Sequence, residues 1–188
     1  MRIGGILLKK STKKEVYSWM KSIAIAVFIA FMCRQFLFTP LTVHGVSMEP
    51  TFDDNNRIVI SKTSTTERFD MIVFKAPDAV DTQYIKRVIG LPGDNVEMKD
   101  DVLFINGKQY EEPYVKRDNE IELGKVTGDF TLQELTGHTT VPNGYLFVLG
   151  DNRLKSNDSR AYGFISTDSV IGEVKLRFYP VQKTGIPK

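Results

Sequence analysis

Two short stretches, Gly45-Val46-Ser47-Met48-Glu49-Pro50-Thr51 and Tyr84-Ile85-Lys86-Arg87-Val88-Ile89-Gly90, carry the side chains best suited to covalent chemistry. The first offers a serine between a glycine and a Met-x-Pro turn. The second sets a lysine in a run of β-branched and aromatic residues, where an ammonium is poorly solvated. A serine becomes a nucleophile beside a base, and a lysine is that base only when its surroundings keep it neutral. An unperturbed lysine titrates near 10.4, so about one in 2,500 is neutral at pH 7, a deficit of about 4.6 kcal/mol that burial must largely supply. Strand alternation puts Tyr84, Lys86 and Val88 on one face and Ile85, Arg87 and Ile89 on the other, so an apolar pair flanks Lys86. Arg87 does not deprotonate and is no candidate base.

Plainer readings stand beside these. Ser47 also suits a turn or cap before Pro50, and Lys86 a solvated strand edge. A Ser/His pair is a further option. His44 lies three residues before Ser47, on the opposite face of a strand, and His138 lies in an irregular region. Neither belongs to a G-x-S-x-G elbow or has an evident aspartate partner, so both are assigned structural or solvated roles.

The elements that must position these groups begin with an apolar run. Trp19 to Phe38 reads WMKSIAIAVFIAFMCRQFLF, and about 20 helical residues span the roughly 30 Å of a hydrocarbon core. Lys21 and Arg34 stand near its ends, placed to snorkel toward headgroups. A cleaved signal peptide is the competing reading, but Arg34-Gln35-Phe36-Leu37-Phe38 is bulky where a cleavage site needs small residues. A buried helix of a soluble domain fits less well, because the lysines at 9, 10, 13, 14 and 21 suit a positive-inside flank. The expected organisation is a cytoplasmic basic segment at 1–18, an anchor at 19–38, and an extracytoplasmic domain at 39–188.

Charge supports that division. Residues 1–21 hold six cations against Glu15, or +5, leaving −3 for the rest of a 188-residue chain whose total is +2. The basic character belongs to the leader, which argues against a nucleic-acid surface. The single cysteine, Cys33, excludes an internal disulfide and a Cys-based metal site, and two histidines without metal-ligand spacing indicate neither metal nor cofactor.

After Pro40 the pattern turns to short β segments punctuated by Gly, Pro, Asn and Asp. Expected strands are 41–43, 57–61, 71–75, 83–89, 95–99, 102–105, 145–149 and 170–179. Asp100-Asp101 joins a hairpin, and Asn106-Gly107 turns the chain into another short strand. Residues 111–140 are polar and irregular, an elaboration between two halves of one β core, and a small β insertion is expected at 95–141. No long amphipathic helix is visible outside the anchor.

Three blocks in order behind the anchor, GVSMEPT at Ser47, YIKRVIGLPGD at Lys86 and GDNRLKSNDSRAYG from Gly150 to Gly163, resemble the type I signal peptidases, membrane-bound Ser/Lys proteases. The resemblance covers nearly all of the chain except 111–140. The single anchor and short insertion look more like the enzymes of single-membrane bacteria than the two-anchor forms. It implies an antiparallel, mainly β catalytic domain with a small β insertion on one N-terminal transmembrane helix. It also implies removal of signal peptides from exported preproteins, with Ser47 as nucleophile and Lys86 as base through an acyl-enzyme. The Ser47 N–H becomes an oxyanion donor. Some members carry a serine hydroxyl donor at the position of Gly45, which this chain lacks. Ser156 is implied to orient Lys86 through a hydrogen bond, Asp158 and Arg160 to form a supporting ion pair, and Arg87 and Asp151 to be structural members. Substrates carry small residues at the first and third positions before the scissile bond and bind extended. The site is expected near the outer membrane surface, with Phe36, Leu37 and Phe38 seated against lipid.

Two rivals remain. A self-cleaving Ser/Lys repressor of similar core needs a helix-turn-helix domain where this chain has an apolar anchor. A membrane-tethered β module that only binds a partner leaves Lys86 dispensable.

Overall fold

The computed structural model describes residues 7–117 and 125–187, with side chains at 7–12 and 33–36 left out. The expected roles of Arg34 and Phe36, and of the lysines at 9 and 10, therefore lie outside the described residues. The chain forms two compact units, Met1–Thr39 and Pro40–Lys188.

The first unit is helix α1, Leu7–Phe36. It starts well before the expected anchor, because no glycine or proline interrupts residues 6–39 and lysine is itself a good helix former. Its apolar window is Lys13–Met32, 20 residues, wholly exposed within the chain. Among the described residues it is the one helix long and apolar enough to cross a membrane.

The second unit is built from antiparallel strands. They are β1 (Phe38–Thr42), β2 (Arg57–Ser61), β3 (Met71–Lys75), β4 (Gln83–Gly90), β5 (Val96–Lys99), β6 (Val102–Ile105), β7 (Lys108–Tyr110), β8 (Phe130–Thr131), β9 (Tyr145–Leu149), β10 (Ile165–Ser166) and β11 (Val170–Tyr179). Seven form one sheet in the order β1-β2-β11-β3-β4-β9-β10, and four a second in the order β7-β6-β5-β8. Both expected turns join hairpins of the small sheet. Asp100 and Asp101 have φ of 51° and 59°, Asn106 and Gly107 of 53° and 76°, the left-handed pair that matches strand twist.

Two short helices were not foreseen: α2 (Leu132–Thr136) and α3 (Ser159–Tyr162). Four or five residues hold too little periodicity to read. Helix α2 nonetheless opens with a reciprocal capping box between Thr131 and Glu134, a signal present in the sequence.

Three apolar clusters make the core. One joins the small sheet to the large one through Ile89, Val96, Leu103, Phe130 and Phe147. A second packs Val43, Met48 and Phe52 onto Ile58, Ile60, Val73 and Ile85. The third gathers Ile72, Phe74, Val88 and Val148. Strand β4 contributes to all three, so its register against β3, with Ile72 opposite Lys86 and Met71 opposite Arg87, fixes where both basic residues sit.

Met48 and Phe52 plug the segment just after Ser47 into the second cluster, and Phe52 is fully buried. Phe52→Ala is expected to lower unfolding free energy by about 3–5 kcal/mol. Denaturant titration in detergent checks this; a loss under 1 kcal/mol would show that the serine segment is not held by its buried ring.

Candidate active site

Ser47 lies in an irregular turn between β1 and β2. Gly45 has φ of +86° and donates its N–H to Asp54 Oδ1 at 2.8 Å. The Glu49 N–H closes back on the Val46 carbonyl at 3.1 Å, and the Phe52 N–H on that of Met48 at 2.8 Å. The backbone leaves its strand through the glycine and returns into the core at Met48, so the serine is held at the crest of the turn.

Lys86 enters from the middle of β4. Its Nζ stands 2.7 Å from Ser47 Oγ, across 39 residues of sequence, and only 3% of the residue is exposed. Burial pulls its pKa down from 10.5 to about 8, against the opposing pull of the Asp158, Asp151 and Asp78 carboxylates. The Tyr84 ring, 5.3 Å from Nζ, also favours the ammonium, and desolvation outweighs them all. The pair lines a pocket of about 110 Å³ with Leu41, Val43, Ile58, Val73 and Ile85. A larger cavity of about 510 Å³, lined by residues including Pro50, Lys116, Arg153 and Leu154, contains neither Ser47 nor Lys86.

The neighbouring Arg87 points to the other side of β4 and is buried. Its Nε and Nη2 donate to the two Asp151 oxygens at 2.9 and 2.7 Å, and its Nη1 to the Phe69 carbonyl at 2.9 Å. The fork satisfies a buried charge bidentately and ties the loop after β9 to the strand that carries Lys86. Thr51 donates to the same carboxylate, which brings in the serine segment. Asp158 takes Arg160 Nε and Nη2 at 2.8 and 2.9 Å and the Gly150 N–H at 3.0 Å, and it also caps α3.

Ser156 departs from the expectation. Its hydroxyl is buried and finds no hydrogen-bond partner among the described residues, so the orienting bond to Lys86 is not made. Ser156 packs instead against Gly150, where an added β-carbon would stand 2.5 Å from the Ser47 carbonyl oxygen and nearer still to the Ser156 side chain. Gly150 permits three segments to meet. The space around Gly45 is open, and a glycine supplies no hydroxyl. His44 is exposed and lines the Ser47 pocket, while His138 sits edge-on to Phe164 at 5.9 Å. No hydrogen bond joins either histidine to Ser47 among the described residues.

A second buried network was not legible. Glu112 and Arg153 form an ion pair with side chains 1% and 0% exposed. Arg153 also donates to the Gly150 carbonyl at 3.1 Å and to Thr127 Oγ1 at 3.1 Å. The Tyr114 hydroxyl donates to Glu112 at 3.1 Å, and its ring lies 3.9 Å under the Arg87 guanidinium. The polar stretch after β7 thus buttresses the loop that holds Asp151 and Asp158. In sequence Glu111-Glu112-Pro113 resembles a solvated turn, and its partner lies 41 residues away.

Comparison with known proteins agrees with this architecture. The family model described as signal peptidase, peptidase S26, matches residues 16–179. Signal peptidase I of Bacillus caldolyticus is 42% identical over 181 residues, 94% of this chain and 97% of that protein. Signal peptidase IB of Staphylococcus aureus is 42% identical over 177 residues, 89% and 92% of the two chains. A crystal structure of signal peptidase I from Enterococcus faecalis is 44% identical with a TM-score of 0.54, covering 58% of this chain and 97% of that one. The chain belongs to the signal peptidase family, peptidase S26. It is a peptidase, which sets aside the pure binding module, and the signal peptidase match over most of its length sets aside the self-cleaving repressor.

Two stability measurements follow. Glu112→Ala leaves Arg153 as an unpaired buried charge and is expected to cost about 3–5 kcal/mol, against under 1 kcal/mol for the partly exposed Glu97→Ala; equal small losses would overturn the buttress. Lys86 has the opposite sign. Its folded pKa of about 8 lies below the unfolded value, so the unfolded chain binds the extra proton and the lysine lowers stability most below pH 8. Lys86→Met is therefore expected to stabilise the fold at pH 7 by about 3 kcal/mol. That gain shrinks as pH rises from 8 toward 10, and thermal midpoints across that range test it.

Proposed function

We propose that this chain cleaves signal peptides from exported preproteins, with Ser47 as nucleophile and Lys86 as general base. The observation that carries the reading is the 2.7 Å approach of the buried Lys86 Nζ, its pKa lowered to about 8, to Ser47 Oγ. The hydroxyl has the base it needs, and the base has lost most of the penalty that an exposed lysine faces at neutral pH.

Ser47 Oγ adds to the scissile carbonyl carbon as its proton passes to Lys86 Nζ. Negative charge gathers on the carbonyl oxygen, and the Ser47 N–H, which has no acceptor among the described residues, is available to bind it. Collapse breaks the C–N bond while the Lys86 ammonium returns a proton to the departing amine. The signal peptide remains as an ester on Ser47. Neutral Lys86 then takes a proton from water, the hydroxide oxygen attacks the ester carbon, and Ser47 leaves with the proton from Lys86. Asp158, Arg160, Asp151 and Arg87 hold the scaffold around this exchange, and Gly45 leaves the approach to Ser47 unobstructed.

The pocket beside the pair supports a substrate with small side chains. At about 110 Å³ it is well below the roughly 300–1,000 Å³ of a typical small-molecule site, and Leu41, Val43, Ile58, Val73 and Ile85 give it an aliphatic part beside Thr42, His44, Gln83 and Tyr84. Helix α1 is the anchor in this reading. Its lysine-rich end faces the cytoplasm, the β unit lies on the other side, and a lipid bilayer is a standing partner.

Detergent-solubilised protein incubated with a preprotein is expected to release the mature form, while Ser47→Ala and Lys86→Arg release none. Full activity in Lys86→Arg would sink the pair. Activity should also fall about tenfold per unit below pH 8, as Lys86 becomes protonated; a profile flat from pH 6 to 8 would contradict a lysine base.

A further inference from the structure

The nucleophile turn is held from one more direction. Asn152 follows Asp151 in the loop after β9 and makes two hydrogen bonds to the serine segment, more than 100 residues earlier. Its backbone N–H donates to the Ser47 carbonyl at 3.0 Å, and its side-chain Nδ2 donates to the Val46 carbonyl at 3.1 Å. These carbonyls belong to the two peptide units that flank the Ser47 α-carbon.

A trans peptide unit is planar, and its C=O and N–H point in opposite directions. Fixing the Val46 carbonyl therefore fixes the aim of the Ser47 N–H, which shares that unit. Fixing the Ser47 carbonyl sets the second plane. With both planes set, φ and ψ of Ser47 are set, and so is the direction of its Cα–Cβ bond toward Lys86. Asp151 is meanwhile forked to Arg87, the residue after Lys86. The dipeptide Asp151-Asn152 thus grips the base strand with one side chain and the nucleophile turn with the other.

We infer that Asn152 is a positioning residue for catalysis, its carboxamide and N–H aligning the Ser47 hydroxyl with Lys86 and the Ser47 N–H with the developing oxyanion. This rests on the reading of Ser47 and Lys86 given above. The carboxamide matters most where only one donor is evident, because Gly45 supplies no hydroxyl to share the charge. A misaimed N–H then costs transition-state binding while ground-state binding persists.

The test uses the full chain in detergent with a signal-sequence peptide, comparing wild type, Ser47→Ala, Asn152→Ala and Asn152→Asp. Asn152→Ala removes the side-chain bond to the Val46 carbonyl, leaving it only the Glu49 N–H, and is expected to lower kcat about 10- to 100-fold with KM within twofold. Asn152→Asp keeps the shape but sets an acceptor against the Val46 carbonyl, and is expected to lower kcat further. The pH at which Asn152→Ala reaches half-maximal activity should match wild type, since the charges around Lys86 are untouched. If Asn152→Ala does not fold, the isosteric Asn152→Asp carries the test alone. With wild type active and Ser47→Ala inactive, an unchanged kcat in the Asn152 variants, or a loss confined to KM, overturns the assignment of Asn152 alone. Wild type inactive, or Ser47→Ala active, overturns the reading of the pair and this inference with it.

Discussion

The structure turns on keeping one lysine dry. A neutral amine at the end of a four-carbon stem is easily produced by removing water, but the same removal destabilises the fold whenever the proton returns. Lys86 stands in β4 opposite Ile72 of β3, with the Tyr84 ring 5.3 Å from its Nζ, and only 3% of it is exposed. Three carboxylates nearby pull the other way. Their pull is limited because Asp158 and Asp151 are each occupied by an arginine. The arginines thus do more than brace loops; their positive charge opposes the carboxylates' pull on the Lys86 proton.

That arrangement explains why charge is so concentrated in the interior. Arg87, Arg153, Asp151, Asp158 and Glu112 are all buried. A buried ion pair is weak support for stability in general, because desolvation consumes much of the Coulomb gain. Here the pairs join segments that share no strand ladder: the serine turn, β4, the loop after β9 and the stretch after β7. Hydrogen bonds from rigid, forked guanidinium groups set those segments at fixed distances, which apolar contacts alone would leave free to slide.

Much of this was legible from the chain, for identifiable reasons. The bounds of β2, β3, β6, β9 and β11 follow from β-branched runs ended by turn residues, and both hairpin turns from Asp-Asp and Asn-Gly. The serine and lysine stood out because each was unusual for its surroundings. What escaped has a common cause. Glu112, Tyr114, Arg153 and Thr51 act through partners 41 to 100 residues away or through a ring face, and nothing local distinguishes a glutamate bound for the interior from a solvated one. Helix α1 begins at Leu7, well before the apolar run from Trp19, because lysines continue a helix as well as apolar residues do, so an apolar run does not mark where a helix begins. Ser156 shows the converse: a motif implied a partner, and the fold set the hydroxyl against Gly150 instead.

The Glu112–Arg153 pair has a consequence for how this scaffold tolerates exchange of parts. The small sheet looks like a module that could be trimmed or swapped between relatives, since its hairpins close on themselves. Yet the stretch leaving it after β7 carries Glu112, the carboxylate that neutralises Arg153 of the loop after β9 among the described residues. A graft that ends at the hairpins keeps that counter-charge; one that replaces the stretch through Tyr114 strands a cation in the interior. The seam for recombination therefore runs before Glu112, inside what the strand pattern alone would mark as a dispensable linker.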